Sequence, residues 1–461
     1  MTTTESPTER QVAPAATDNR LTYDDDLFLR SRRVLGIGVV NQSVWRFDRP
    51  IDADRLQRLR TTLADGPLGR TVRRSAVPCS RDRWVAAPDA RSVHVERRAL
   101  SPSDVLGWAD ERAAVDLDPE SAPAWELSAA STTDGGGVLS LLTSHVVSDG
   151  GAHVAAVTAA AGGVDIGRLP VDRPRATVRD DVGDGLRQLG GVVRGGAAAM
   201  RLARDRVEVG DAQTSAQTPR RPDRDGDDRP YRPATVVVDC DADQWEQSAR
   251  RHGGTANTLL VAVIVEVLLA SGRVEPGRPV RVALPVSLRG ARDLRSNATS
   301  GVSVDVDTCV VDGIGRAPDL AAVRSACRRE FSALADGTRR DTLTPLKPLL
   351  QMLPDRLVAR LASTMTAPLC LCSNLGDLPA EFAAPLGVPA TSVLMRSVTQ
   401  DVTPSMMRRT RGGLNAWWSR HGPTVTLAVL GVDPDHFGSR DELARLVQDT
   451  CRRWGIDART W

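Results

Sequence analysis

Apolar and polar positions along this 461-residue chain recur with two periods, one near two residues and one near 3.6. The period-two runs predict strands at Val39–Phe47, Trp125–Ala130, Val138–Thr143, Thr235–Asp239, Val280–Val286, Ser300–Val306, Leu369–Ser373 and Thr424–Leu430. Trp84–Ala87 and Ser92–Val95 predict two shorter strands. Helical spacing behind capping residues predicts helices from Asp52 to about Leu63, over Pro102–Val115, over Asp241–His252, over Pro318–Ala335 and over Arg440–Trp454. An apolar helix is predicted from Thr255 or Asn257 to Ala270. No repeat of 20–50 residues is present.

Composition divides the pattern. Residues 1–20 are rich in Thr, Ser, Pro and Glu and predict a disordered tail. Residues 183–207 predict a helix that Gly190, Gly191, Gly195 and Gly196 weaken. Residues 209–232 are rich in Gly, Pro, Asp and Arg, and Gln217–Pro233 predicts an exposed linker. The chain is long for one core, and two lobes of roughly 150–250 residues are expected. The expected division is a tail (1–20), an N-terminal lobe (21–170), a helical segment with linker (171–232) and a C-terminal lobe (233–461).

Charge excludes some functions. Sixty basic residues balance 58 acidic ones, for a net charge of +2, so the uncompensated basic face of a nucleic-acid protein is missing. Lys347 is the only lysine. Met1–Arg20 has no apolar stretch of the secretory type, and Leu259–Ala270, broken by Glu266, is too short to span a bilayer. Residues 183–207 are left as a candidate for weak peripheral membrane contact, which their glycines and modest apolarity oppose. Seven scattered cysteines fit reduced thiols in the cytoplasm rather than a disulfide framework. Cys370-Leu-Cys372 has no second pair or nearby histidine, so no metal site is expected. A G-x-S-x-G elbow, a dinucleotide loop behind a strand and a P-loop are all lacking.

The chemistry concentrates at His145-Val-Val-Ser-Asp149-Gly150, directly after the strand Val138–Thr143. A neutral imidazole fixed in such a loop can take a proton from an alcohol or amine near neutral pH. The alternative is a loop histidine with its hydrogen bonds satisfied. Asp149 is placed to cap the helix that Gly150 and Gly151 open, so a structural role is preferred over charge relay to His145. His153, on that helix, is expected to be structural.

This H-x-x-x-D-G pattern resembles the acyltransferase superfamily built on the chloramphenicol acetyltransferase fold. That group includes nonribosomal peptide condensation domains, wax ester synthase/diacylglycerol acyltransferases and polyketide-associated acyltransferases. Four further segments match in order: Gly254-Thr-Ala-Asn257-Thr-Leu-Leu, Val282-Ala-Leu-Pro-Val-Ser-Leu-Arg289, Asn297-Ala-Thr-Ser-Gly301 and Cys372-Ser-Asn374-Leu-Gly376. They are most similar to the wax ester synthase and polyketide-associated branches. The resemblance spans roughly residues 22–450. Ser144 stands where two-histidine members carry their first histidine, and the plant-type D-F-G-W-G motif is missing.

The resemblance implies an α/β fold of the α+β sandwich kind, with two lobes of mixed sheet and helices around a central channel. It implies an acyltransferase with His145 as general base and with Asp149 turned away to pair with Arg289, fixing the loop with Gly150. The strand-end Arg289 could instead be exposed. Asn374, Ser144 and Ser148 are channel or oxyanion candidates, although Asn374 could equally be a turn residue before Gly376. The donor is expected to be an acyl thioester of coenzyme A or of a phosphopantetheinyl carrier protein, with no permanently bound cofactor. The acceptor is expected to be an alcohol. The rivals are an amide-forming condensation enzyme and a non-catalytic member that docks partner proteins.

Overall fold

The computed structural model describes residues 19–87, 91–164, 166, 178–205, 229–290, 293–308, 319–337, 346–362 and 367–461. The first half runs α1 (Tyr23–Leu35), β1 (Val39–Phe47), α2 (Ala53–Asp65), β2 (Arg70–Arg73), β3 (Arg83–Ala86) and β4 (His94–Val95). It continues with α3 (Val105–Ala113), β5 (Trp125–Ser131), β6 (Gly137–Ser144), α4 (Gly150–Gly162) and the long α5 (Val178–Asp205). Next come β7 (Ala234–Asp241), α6 (Ala242–Arg251), α7 (Ala256–Ala270), β8 (Pro279–Ser287), β9 (Thr299–Asp307) and α8 (Ala321–Ala335). After them follow α9 (Lys347–Met352), α10 (Asp355–Ala362), β10 (Cys370–Asp377), α11 (Ala380–Ala383) and β11 (Ser392–Thr399). The chain closes with α12 (Pro404–Thr410), β12 (Leu414–His421), β13 (Thr424–Gly431), α13 (Arg440–Arg453) and β14 (Ala458–Thr460).

Two mixed sheets organise these elements. The first has the order β11-β1-β6-β5-β4, the second β14-β7-β13-β12-β10-β8-β9. β6 is buried along its whole length, as expected of a central strand covered on both faces. β9 alternates instead, burying Val302, Val304 and Val306 while the residues between them are more exposed, as expected of a strand with one face on the core. The apolar helix α7 is buried from Thr258 to Leu268 and forms the centre of the second lobe's core. Its one carboxylate, Glu266, is held by the indole N–H of Trp454 at 2.6 Å and by Arg453. Among the described residues no single helix is long and apolar enough to cross a membrane.

The sheets do not follow the sequence division at residue 233. β11 comes from the C-terminal half yet pairs antiparallel with β1 of the first sheet, from Val39↔Thr399 to Arg46↔Ser392. Its neighbour α11 places Phe382 and Ala383 in the first lobe's core. A separate apolar cluster joins the sheets, with Val44, Val138 and Leu394 on one side and Val237, Trp417, Ala428 and Leu430 on the other.

Residues 1–18 of the expected tail lie outside the described residues, as do 206–207 of the expected helix and 209–228 of the expected linker. Arg20, counted with the tail, is buried and donates to Asp181 at 2.7 Å. The helix expected at 183–207 begins earlier, at Val178, and packs with its acidic side inward. Asp181 also accepts from Arg83 at 2.6 Å, and Asp184 from Arg81 at 2.7 Å. Val178, Val182, Leu186, Leu189 and Val193 are on the exposed side.

Candidate active site

His145 leaves the end of β6 into a five-residue loop, His145–Asp149, before α4. The loop is buried, so each backbone carbonyl needs a donor. Side chains from distant parts of the chain supply them. Asn297 Nδ2 donates to the carbonyl of His145 at 3.0 Å and approaches that of Val146 at 3.4 Å. Arg70 donates to Val147 O at 2.9 Å, and Asn41 donates to Ser148 O at 2.7 Å. The backbone N–H of Asp149 reaches Ser296 O at 2.8 Å. Both lobes therefore clamp the loop, because residues 296–297 belong to the β8–β9 connection.

Asp149 combines its two expected structural roles. One oxygen, Oδ1, accepts from Ala152 N at 2.7 Å, the N-cap bond of α4, and from Arg289 at 2.9 Å. The other, Oδ2, accepts from Ala298 N at 2.7 Å and from the Thr299 hydroxyl at 2.9 Å. With four donors around it, the carboxylate makes no bond to His145. Arg289 is not an exposed strand-end arginine: its side chain is 9% accessible and also donates to the carbonyls of Asp293 and Arg295 at 2.7 and 2.8 Å. The glycines differ in what they permit. A Cβ at Gly150 would meet only Leu375, at an ordinary 3.5 Å, whereas one at Gly151 would lie 3.3 Å from Arg289 Nε. Of the two glycines, Gly151 is the one at which a side chain would crowd the ion pair.

The imidazole of His145 is held on one edge and one face. Its Nδ1 lies 3.0 Å from Asn297 Oδ1. Asn297 Nδ2 points at acceptors, Asp25 Oδ1 at 2.9 Å and His145 O, which fixes the orientation of the amide. Its Oδ1 can then only accept, so Nδ1 of His145 carries the proton. Phe28, on α1, stacks on the ring with centroids 3.8 Å apart and planes at 22°. Nε2 has no hydrogen bond among the described residues and keeps its lone pair. Burial lowers the pKa of His145 below its ordinary 6.5, while Asp149 and the Asn297 hydrogen bond pull it back up. The imidazole is therefore neutral at neutral pH.

Behind this edge lies a polar cluster that sequence reasoning missed. Asp25 is buried; its second oxygen accepts from Thr22 N at 2.9 Å in the capping box that starts α1. Burial raises its pKa, opposed by Asn297, Thr22 and Arg70. Arg70 is also buried, with its guanidinium 4.3 Å above the Trp84 ring and a donated bond to Ser296 Oγ at 2.8 Å. Burial lowers the pKa of Arg70 to about 10. The available signal was Thr22-x-x-Asp25 before an apolar stretch, a capping pattern for a helix, and Asn297 itself stood in a quoted motif without a role.

The remaining candidates are placed as follows. Ser144 is buried at the end of β6, and its hydroxyl faces Val146 N at 3.4 Å. Ser148 is fully buried and shares a hydrogen bond with Thr143 at 2.8 Å, inside the loop's packing rather than on an open wall. Asn374 is half-buried near the end of β10; its Oδ1 accepts from Gly376 N at 2.8 Å, the turn role, and its Nδ2 faces Asn257 Oδ1 at 3.3 Å. The neighbouring Leu375 overlies Gly150, which brings β10 of the second lobe against the start of α4. Cys370 and Cys372 lie in the core with sulfurs 3.7 Å apart. Among the described residues no group of three or more His, Cys, Asp or Glu side chains is placed to hold a metal ion.

By sequence, no protein-family model and no curated protein matches this chain. Solved structures do. The first condensation domain of the calcium-dependent antibiotic synthetase, in complex with a substrate analogue, matches 95% of this chain and 96% of its own at 15% identity and a TM-score of 0.58. A wax ester synthase/diacylglycerol acyltransferase from Marinobacter aquaeolei VT8 matches 95% and 100% at 14% identity, TM-score 0.54. Polyketide synthase associated protein 5 from Mycobacterium tuberculosis matches 95% and 99% at 15% identity, TM-score 0.54. The chain has the two-lobed α/β fold of these proteins, as the sequence resemblance implied.

Proposed function

We propose that this protein is an acyltransferase that moves an acyl group from a thioester, on coenzyme A or a carrier protein, to a hydroxyl acceptor. The observation that carries the reading is the state of His145. Its Nδ1 proton is committed to Asn297, its Nε2 lone pair is unoccupied, and its pKa lies below the ordinary value. Nε2 takes the acceptor's proton as the acceptor oxygen attacks the thioester carbonyl. The tetrahedral intermediate collapses, the C–S bond breaks, and the proton on Nε2 passes to the departing thiolate. The products are an ester and a free thiol, the enzyme is unchanged, and the step needs no covalent acyl-enzyme.

The likeness in fold to condensation domains and to a wax ester synthase supports this class of reaction. The preference for an alcohol over an amine rests on the second-lobe motifs around Asn257, Arg289 and Asn374. The test is a mass-spectrometric screen of acyl-CoA and acyl-carrier-protein donors against alcohol and amine acceptors, with His145→Ala as control. Ester formation that requires His145 supports the proposal. Amide formation alone would move the protein to the amide-forming rival. Turnover that survives His145→Ala would remove the histidine from the mechanism. Initial rates are expected to give intersecting double-reciprocal lines, since both substrates must be bound together; parallel lines would point to a covalent intermediate.

A further inference from the structure

Two residues of α1, Asp25 and Phe28, meet the same histidine although nearly the whole N-terminal lobe separates them from it in sequence. They are three positions apart and so share a helix face. Phe28 covers the ring of His145. Asp25 does not touch the ring; it accepts from Asn297, which accepts from His145 Nδ1. The directions of the hydrogen bonds in this chain follow from its far end, together with the bond that Asn297 Nδ2 gives the His145 carbonyl. Thr22 N can only donate, so it needs an oxygen of residue 25. The other oxygen of Asp25 is also an acceptor, so Asn297 must turn its NH2 toward it and its carbonyl toward His145. His145 must then donate from Nδ1, which leaves Nε2 as the base.

We infer that Asp25 is a positioning residue: through Asn297 it sets which nitrogen of His145 holds the proton, and α1 is the element that orients the reacting imidazole. This rests on the acyl-transfer reading for its consequence in turnover, but the protonation pattern itself can be observed without any substrate. A carboxylate is required at position 25 because both of its oxygens accept. In Asp25→Asn, Thr22 N–H keeps the one amide oxygen, and the new NH2 faces the NH2 of Asn297, donor against donor. Relief comes when Asn297 turns over, at the cost of the bond its NH2 gives the His145 carbonyl. It then offers Nδ2 to His145, whose Nδ1 must become the acceptor, and the proton moves to Nε2.

The experiment is nitrogen-15 NMR of the full-length protein labelled at histidine, with the His145 signals assigned by their loss in His145→Gln. In the wild type, His145 is expected to show a protonated Nδ1 and an unprotonated Nε2. Asp25→Asn is expected to reverse the two, and Asn297→Ala to leave a mixture. The exchange Asp25→Asn with Asn297→Asp places one carboxylate between the amide at 25 and the histidine. It is expected to restore the Nδ1 proton, although the bond to the His145 carbonyl is lost. For acyl transfer, kcat is expected to fall at least about tenfold in Asp25→Asn, and by no more than the roughly 10²–10⁴ of losing the general base outright, with KM for the thioester little changed. The double variant should recover part of that loss.

A proton on Nε2 in the wild type overturns the inference, whatever the variants do. So does an unchanged proton position in an Asp25→Asn protein that melts as the wild type does. If the spectra behave as expected and no donor–acceptor pair reacts, the positioning role stands and the acyl-transfer reading falls. If transfer depends on His145 and the spectra do not change, the reverse holds.

Discussion

His145 and His153 come from one strand–loop–helix unit, and the protein treats them in opposite ways. His153 is fully buried on α4, with both ring nitrogens engaged: Nε2 lies 2.9 Å from Ser43 Oγ and Nδ1 3.0 Å from Thr143 Oγ1. Both hydroxyls can reorient to suit either tautomer, so the ring is held in place while its protonation is left open. His145 has one nitrogen engaged, by an amide that cannot reorient, and the other is free. Hydroxyl partners leave a histidine's tautomer open; an amide locked by a carboxylate leaves it one defined lone pair. Burial alone does not separate the two, since it lowers both pKa values, that of His153 to about 3.

Exchanging the two losses gives the largest contrast. His145→Ala is expected to reduce turnover by roughly 10²–10⁴ while the melting temperature is retained. His153→Ala opens a cavity beside Ser43 and Thr143 and is expected to lower stability by about 2–5 kcal/mol, with turnover changed far less per folded molecule. Chemical denaturation and steady-state kinetics on both variants test the pair. A wild-type rate in His145→Ala would end the contrast.

Next is the ion pair that fixes the loop around His145. Asp149→Ala and Arg289→Ala are each expected to cost about 3–5 kcal/mol, because each leaves a buried partner uncompensated. The double variant should lose less than the sum, in a denaturant-based thermodynamic cycle. Strict additivity would show that the 2.9 Å contact carries no coupling.

A smaller effect distinguishes the histidines by pH. The folded-state pKa of His153 is about 3, below its ordinary 6.5, so as the pH falls the unfolded chain takes up the proton first. Its contribution to stability is complete above about pH 6.5 and is lost below it, by at most about 1.4 kcal/mol per pH unit, levelling off near pH 3. Urea titrations between pH 7 and 4 should show a shallower acid loss in His153→Gln than in the wild type; parallel curves would contradict the assignment.

The smallest expected effect is on the acid limb of kcat/KM. It should fall below pH 6.5, since His145 must be neutral to act and burial holds its pKa down. Asp149→Asn removes the negative charge that pulls this pKa back up, and should move the limb lower still. A limb that moved upward would contradict the electrostatics.

Most of the strands could be read from local alternation, and so could the structural place of Asp149, because a cap and its helix are neighbours in sequence. Arg289 became legible only through the family resemblance, since 140 residues separate it from Asp149. The clamp on His145 was missed for the same reason: Asp25 and Asn297 are 272 residues apart. Helix α1 was overlooked despite its capping residues, because three adjacent aspartates, Asp24–Asp26, obscured its apolar face. β11 was overlooked although Ser392–Thr399 alternates weakly, and no local pattern names the sheet that a strand joins. What crowds Gly151 could not be read from sequence, since it is the side chain of the distant Arg289.

The pairing of β1 with β11 has a consequence for how the chain is made. Val39 meets Thr399, so synthesis must run through residue 399 before that ladder can close. Until then β1 can pair with β6, but its other edge stays open, a template for strands of neighbouring chains. A chain ending at Ala390 is expected to aggregate, and recovery of a monomer by size-exclusion chromatography would contradict this. The first sheet can begin to assemble early in synthesis and is sealed late, and over that interval its open edge is exposed to other chains.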